Sequence, residues 1–568
     1  MKDIKTEIAR IIAEQAGLAE EEALALIEIP PESSKGDYAF PCFRLAKVLR
    51  KAPPLIAADI AEKIRGNALF EKVENVNAYV NMFIDKAYFA MNTLEDVVAR
   101  GDLFGRQDIG GGKTVIVEYS SPNIAKPFHI GHIRSTVIGN AIYKLYDAIG
   151  YKVVRINHLG DYGTQFGKMI TAYRRWGNEE EVKKEPIKTL LSYYVRFHQE
   201  AENDPSLDQE ARETFAKLEH GEEEEVRIWK WFREESLKEF TRVYDMLGIT
   251  FDSYNGESFY SDKMPAVIQE LRDKGLLQES QGAQIVDLSQ WNMSPALITK
   301  SDGTSLYITR DIAAAIYRKK TYDFYKCIYV VASQQNLHFQ QWFKVLDLMG
   351  YEWSKDCIHV NFGLVSLEDG TMSTRNGRVV FLEDVLNRAV EKTAEIVREK
   401  GVNTESIEET SKTVGIGAVI FQELSNSRIK DYVFNWDNVL NFDGETGPYV
   451  QYTHARAASV LKNAGFSGSF DVASMDLSYI SGGSAYELIK EIYRFPEVIA
   501  DAAEKYEPSV LTRHIVDIAQ AFNKFYHDEH ILVENEQEKQ AKLLLTYAAK
   551  QTIKNGLELL GMKAPDKM

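Results

Sequence analysis

TVIVEYSS (Thr114–Ser121), PNIAKPFHI (Pro122–Ile130), HIRSTVIGNAIYKLYDAIG (His132–Gly150) and KVVRINHLG (Lys152–Gly160) follow one another with single-residue gaps at most, and their reading decides the fold. The first is apolar and β-branched, a strand. The second is a loop punctuated by two prolines. The third repeats its apolar residues every three to four positions, and Gly150 stands where a helix C-terminus favours glycine. The fourth is again a strand. Strand, loop, helix, strand is a βαβ unit, and parallel strands joined through helices make a doubly covered α/β sheet.

Outward from that unit the pattern changes. Residues 177–245 are charged, long-period and helical, an insertion and not a sheet element. Sheet-like runs resume at AQIVDL (283–288), SLYITR (305–310) and KCIYVVAS (326–333), and from about 385 onward the pattern is helical. Pro448 and Gly465 bracket one helix in that region. Before the βαβ unit, Ile4, Ile8, Ile11 and Ile12 give a helical period, Pro30–Gly36 break it, and a second helix runs through Arg44–Arg50. Pro53–Pro54 interrupt, and VNAYVNMFI (Val76–Ile84) reads as a strand. The expected division is an α+β module at 1–108, a sheet domain at 109–385 carrying the insertion, a helical connector at 386–445 and an all-α domain at 446–568.

Composition bounds the answer. The chain has 568 residues, 45% hydrophobic and 27% charged, the balance of a globular protein with several cores. No charge-free apolar stretch reaches the roughly 20 residues that span a bilayer. Cys42, Cys327 and Cys357 are odd in number and lack metal-ribbon spacing, which excludes a disulfide framework and points to a reducing cytoplasm. The net charge of −17 argues against a nucleic-acid partner until it is divided. Residues 177–225 hold 15 acids and 6 bases, whereas 113–175 hold 9 bases and 3 acids, a positive stretch on the βαβ unit.

GGGKT (Gly110–Thr114) imitates a phosphate loop, but Gln107 stands where the pattern needs glycine and the run precedes its strand; it is an interdomain turn. His129-Ile130-Gly131-His132 is stronger. Two histidines three apart share one helical face at a helix N-terminus, where backbone N–H groups and the helix dipole favour an anion. Gly131 leaves room for a base or ribose, and no third ligand at a recognisable spacing makes the pair a metal site.

Five segments in order carry a family resemblance: VEYSSPNIAKPFHIGHIRST (Val117–Thr136), YITRDIAAAIYR (Tyr307–Arg318), QQNLHFQQWF (Gln334–Phe343), TMSTRNG (Thr371–Gly377) and GPYVQYTHAR (Gly447–Arg456). The chain resembles arginyl-tRNA synthetases, a family of class I aminoacyl-tRNA synthetases, from end to end. The resemblance implies a Rossmann-like catalytic domain with helical insertions, an N-terminal module that grips the tRNA elbow and a C-terminal anticodon-binding domain of the DALR type. It implies ligation of L-arginine to its tRNA, with ATP and Mg2+ as a substrate complex, no resident metal or prosthetic group, activation that needs bound tRNA, and a cytoplasmic monomer.

Residue by residue, the resemblance places ATP on His129, Gly131, His132, Met372 and Ser373. Catalysis falls to His129 and His132 with a cation, because the family's KMSKS loop is here Thr371-Met372-Ser373-Thr374-Arg375 and both lysines are absent. Lys126 and Arg375 are the candidates to replace them. A guanidinium is a permanent planar cation that carboxylates hold bidentately. The matching positions give Glu118 and Asp311 that role, with Tyr307 beside them, and the α-amino and carboxylate ends of arginine to Asn123, Gln335 and His129. For tRNA, Tyr79 and Asn81 with Asn77 in the N-terminal module, and Tyr449, Tyr452 and Arg456 in the C-terminal one, are the expected contacts; unpaired bases stack on aromatic rings. Read alone, Asp311 is also a fair first-turn helix acid. Two rivals stand beside this reading: another HIGH-type nucleotidyltransferase, and a paralogue that binds tRNA without catalysis.

Overall fold

The protein is described from a computed structural model covering residues 4–300, 307–366, 380–399, 406–439, 444–466 and 468–568. It forms two compact units that do not follow chain order. One gathers 1–104, 453–495 and 517–555; the other gathers 105–452, 496–516 and 556–568.

In the first unit an antiparallel sheet pairs Tyr38–Pro41 and Phe70–Val76 on either side of Tyr79–Ile84. The run read as one strand is therefore a strand end, a turn and a second strand: Asn77 turns the chain with φ +55°, a left-handed conformation that Asn tolerates. Pro53 and Pro54 break one helix and open the next, Pro53–Ile64, where a missing N–H costs nothing. The module does not stand alone in its unit. Phe89 packs on Tyr486 and Tyr493, and Lys554 Nζ reaches Asp102 at 2.7 Å.

The second unit is built on four parallel strands. These are β1 (Thr114–Glu118), β2 (Lys152–Ile156), β3 (Lys326–Ala332) and β4 (Cys357–Phe362), in the spatial order β4-β3-β1-β2. Val115, Ile116 and Val117 are all fully buried, so both faces of β1 must be covered. Helix α1 (Ile133–Ala148) packs on one face, closely enough that a β-carbon on Gly139 would meet Tyr119 Cβ at 2.1 Å. The other face packs its Ile116, Ile156 and Cys327 against Trp342 and Leu346 of a later helix. All three cysteines are free and buried, and Cys327 and Cys357 are register partners across β3 and β4.

Between β2 and β3 the insertion is helical: Glu179–Lys184, Pro186–Asn203, Ser206–Glu219 and then α2 (Glu223–Leu247). Its acids explain their own clustering. Glu179–Glu181 and Glu223–Glu225 occupy first helical turns, where the dipole favours negative charge, and most of them face solvent. AQIVDL contributes Ala283–Val286 to a three-stranded antiparallel sheet. Ser305 and Leu306 lie outside the described residues, and the rest of SLYITR, Tyr307–Arg310, is helical and not a strand: it belongs to α3 (Tyr307–Tyr322), because Ile308 and Ile312, one turn apart, both bury and the Thr309 hydroxyl binds the Ile298 carbonyl at 2.8 Å. Next come α4 (Asn336–Leu348), α5 (Leu382–Glu399) and α6 (Ile407–Ser425). Val365–Ser366, just past β4, pairs in parallel with Tyr432–Val433. Among the described residues no helix is long and apolar enough to cross a membrane.

Candidate active site

Open α/β sheets bind ligands at the carboxyl ends of their strands, and there the chain spends its strain. Beyond β1, Ser120, Ser121 and Ala125 take left-handed backbone at φ +69°, +48° and +57°. Side chains from α1, from α2 and from the residue just past β2 hold them. The Ser120 N–H donates to Ser135 Oγ at 3.0 Å, the Ser121 N–H to Asn157 Oδ1 at 3.2 Å, and the Ala125 N–H to Ser236 Oγ at 2.9 Å. The Tyr244 hydroxyl joins Ser120 Oγ at 2.8 Å to Asn157 Nδ2 at 2.9 Å.

The loop ends at the histidine pair. The His129 N–H donates to His132 Nδ1 at 3.1 Å, and the Gly131 N–H donates to His129 Nδ1 at 3.1 Å. A neutral imidazole has one N–H, so the His129 proton sits on Nε2; His132 Nδ1 lies 3.3 Å from the His129 carbonyl as well, and accepts or donates there according to its tautomer. Burial pulls His129 down to about 4, and burial with the neighbouring His129 holds His132 well below the usual histidine range. At neutral pH both are uncharged, each with one ring N–H to donate, and their ring centroids lie 3.9 Å apart at the start of α1. Such donors suit charge that develops on a phosphate. The chain entering α5 docks on this turn: the Ile130 N–H donates to the Val380 carbonyl at 3.1 Å, and the Leu382 N–H to that of Phe128 at 2.9 Å. Lys126 is half-buried with its ammonium 5.7 Å from the Tyr194 ring centroid, and its charge is among those depressing His132.

The expected guanidinium acids have different surroundings. Glu118, at the end of β1, is buried and bonded to the fully buried Arg318 at 2.5 Å. Asp311, in the first turns of α3, is partly open and meets His338 Nε2 of α4 at 2.5 Å. Tyr307, one turn before it, is 57% exposed. Asn123 and Gln335 are exposed, on the β1–α1 loop and on the turn leading into α4.

A third acid has no counterpart in the quoted motifs. Glu257 lies 3.5 Å from Arg310 Nη1, and burial, outweighing that arginine, raises its carboxyl to about 7. Asp161, fully buried, fixes its position: it accepts from Arg233 Nε at 3.0 Å, the Ser258 N–H at 2.8 Å and the Ser258 hydroxyl at 2.9 Å. No sequence spacing announces Glu257, since Asp161 and Arg233 meet only in the fold.

A family model described as "tRNA synthetases class I (R), catalytic domain" matches residues 93–436, "DALR anticodon binding domain" matches 450–568, and "Arginyl tRNA synthetase N terminal domain" matches 2–84. The chain belongs to the arginyl-tRNA synthetase family. It is 58% identical to the arginine–tRNA ligase of Halothermothrix orenii and 59% identical to that of Clostridioides difficile, over 100% of each chain. The Thermus thermophilus arginyl-tRNA synthetase structure superposes with a TM-score of 0.79 at 25% identity, covering 99% of this chain and 100% of that one. The Plasmodium falciparum structure shares the fold at a TM-score of 0.75 and 24% identity, with both chains fully covered.

The residues expected to meet RNA differ in exposure. In the N-terminal sheet Tyr79 is half-buried, with Phe43 edge-on at 5.5 Å, and Asn77 is exposed. Asn81 is only 6% exposed, because it pairs in the central strand between Ala39 and Glu74. On the helix Gly447–Asn463, Tyr452 is exposed and Tyr449 half-buried, whereas His454 is buried. Arg456 bonds Asn523 at 2.5 Å and lies 5.4 Å from the Tyr526 ring. Phe522 and Phe525 of the neighbouring helix are core. Met372, Ser373 and Arg375 lie outside the described residues.

Proposed function

We propose that this chain, an arginine–tRNA ligase by family, forms arginyl-adenylate at the His129–His132 turn and passes the arginyl group to the 3′ end of its tRNA. In the first step a carboxylate oxygen of arginine attacks the α-phosphorus of ATP, the bond to the bridging oxygen breaks, and pyrophosphate leaves. In the second, a ribose hydroxyl of the tRNA attacks the arginyl carbonyl and AMP leaves. Phosphoryl transfer is catalysed chiefly by positioning and by donors aimed at developing charge. The observation that supports the reading is that two buried, uncharged histidines stand ring against ring at the start of a helix, each with one N–H to donate toward a phosphate. Lys126 takes the place of the missing lysines toward the phosphates, with Arg375 as the alternative cation, and Gly131, Met372 and Ser373 line the nucleotide. Magnesium arrives with the phosphates of ATP.

Asp311 and Glu257 receive the substrate guanidinium, beside Tyr307. Glu118, already engaged by Arg318, supports the pocket from behind. Asn123 and Gln335, both exposed at the strand ends, serve the α-amino and carboxylate groups. Tyr79 with Asn77, and Tyr449, Tyr452 and Arg456, meet the tRNA, and the enzyme works as a cytoplasmic monomer. One assay tests the whole: arginine-dependent ATP–pyrophosphate exchange with and without arginine tRNA. Exchange with arginine, requiring tRNA, is expected. Exchange with a different amino acid would reassign the substrate, and none in either condition would leave a tRNA-binding paralogue.

A further inference from the structure

Two residues after the histidine turn, Arg134 is 0% exposed, although arginine is almost never fully buried without a task. Its Nη1 donates to two backbone carbonyls at once, those of Gly363 at 2.8 Å and Lys430 at 2.7 Å. Its guanidinium carbon lies 5.2 Å from the Tyr432 ring centroid, and its Nε lies 3.6 Å from the buried Glu423 carboxylate of α6. These contacts come from segments far apart in the chain. Gly363 begins the stretch just past the carboxyl end of β4, and Lys430 belongs to the 426–434 stretch that runs beside it.

The same two stretches are stitched together elsewhere. The Gly363 N–H donates to the Arg428 carbonyl at 2.8 Å, the Leu364 N–H to Asp431 Oδ1 at 2.6 Å, and the Phe434 N–H to the Ser366 carbonyl at 3.0 Å. Arg428 in turn holds Asn361, the penultimate residue of β4. The junction is tight: a β-carbon on Gly363 would stand 2.5 Å from the Lys430 carbonyl carbon and 2.6 Å from Asp431 Oδ1. Arg134 alone in this knot is borne by α1, the helix that carries the histidine turn.

We infer that Arg134 is a positioning residue: it locks the Gly363–Ser366 stretch, which leaves the sheet at the carboxyl end of β4 where such sheets bind ligands, in register with the histidine turn, so that the two keep a fixed separation across the nucleotide site. A lysine keeps the charge, but its shorter reach and compact ammonium do not bring one donor between the Gly363 and Lys430 carbonyls while a planar cation lies beside the Tyr432 ring. The inference rests on ATP activation by this chain. Failure of that reading would appear as absent arginine-dependent exchange in the wild type, whereas failure of this one leaves wild-type exchange intact.

The test compares full-length Arg134→Lys, Gly363→Ala and, as a control for lost stability, Val414→Ala, which trims a buried residue of α6 away from the junction. Pyrophosphate exchange in the presence of tRNA gives kcat and both Michaelis constants, and thermal melting gives stability. Arg134→Lys and Gly363→Ala should each raise the KM for ATP tenfold or more while that for arginine stays within twofold. Val414→Ala should lower Tm and leave both constants alone. Gly363→Ala wedges the two stretches apart with the guanidinium intact, so it decides the matter even where Arg134→Lys does not fold. A fall in Tm with both constants within twofold of wild type, or an equal rise in both, would overturn the inference and leave Arg134 a core residue.

Discussion

Replacing Tyr244 by Phe removes one oxygen from the far end of α2 and tests whether the helical insertion holds the strained loop. That hydroxyl links Ser120 Oγ at 2.8 Å and Asn157 Nδ2 at 2.9 Å, while Asn157 Oδ1 accepts the Ser121 N–H at 3.2 Å. Ser120 Oγ keeps Thr136 Oγ1 at 2.8 Å. Asn157 instead loses the partner of its amide nitrogen while its residue stays 0% exposed. A buried donor left unsatisfied costs about 1–3 kcal/mol, and left-handed serines store roughly 1–2 kcal/mol each, so local opening at Ser121 becomes easier by about 2 kcal/mol. Hydrogen exchange reads this directly: about 1.4 kcal/mol is tenfold, so the Ser121 amide should exchange on the order of 30 times faster. The Ala125 amide is the internal reference, because it is held by Ser236 Oγ at 2.9 Å and not by Tyr244. Its protection should change little. Equal loss at both amides would mean general loosening of α2, and no change at Ser121 would show that the tyrosine does not carry the loop.

Lys126→Ala should slow adenylate formation on the order of 10²-fold, measured as single-turnover pyrophosphate release; near-normal release would move the role to Arg375. Asp311→Asn should raise the KM for arginine steeply and leave that for ATP nearly unchanged, and Glu257→Gln should do the same; equal effects on both constants would mark the residue as structural. His129 is held down at about 4, so between that value and the ordinary histidine range near 6.5 the unfolded chain binds more protons than the folded one. Its contribution to stability is therefore full above about pH 6.5 and is lost as pH falls toward 4; exchange activity at pH 6–8 should show no ionisation of His129, and a profile with a midpoint near 6.5 that vanishes in His129→Gln would refute the depressed pKa. Burial pushes the thiols of Cys42 and Cys327 up to about 12 and about 11, so a thiol reagent at pH 8 should find no fast-reacting cysteine in the folded protein and three after denaturation.

What the sequence makes legible follows its local periods. The βαβ unit around His129 reads correctly because each of its signals, Val115–Val117, Gly150 and the prolines, acts on its own neighbours. The two misreadings have the same root. SLYITR has strand composition, but its Ile308 needs Ile312 one turn later to complete a buried helical face, and a window ending at Arg310 never includes it. VNAYVNMFI has strand composition too, yet Asn77 turns the chain back, and the pairing partner that makes this possible lies upstream at Phe70–Val76.

The site shows a sharper limit. Sequence counts charges, whereas chemistry depends on which charges the fold has already paired. Glu118 and Asp311 are equal candidates by motif, and the fold separates them. Glu118 faces Arg318, a permanent cation sealed in the core at 2.5 Å, so a substrate guanidinium at Glu118 would have to displace a like group that cannot lose its charge. Asp311 faces an imidazole, His338, which is charged only when protonated and is partly open to solvent. An arginine ligand there replaces a hydrogen bond with a bidentate ion pair and displaces a side chain that has water to turn to. Glu257 stands between the two cases: its partner Arg310 is again a buried guanidinium, but it lies 3.5 Å away, farther than Arg318 from Glu118. On the proposed reading, specificity for a cationic side chain would follow the acids whose internal partners are weakest, and it is the partners, Arg318, His338 and Arg310, that no reading of Glu118 or Asp311 alone supplies.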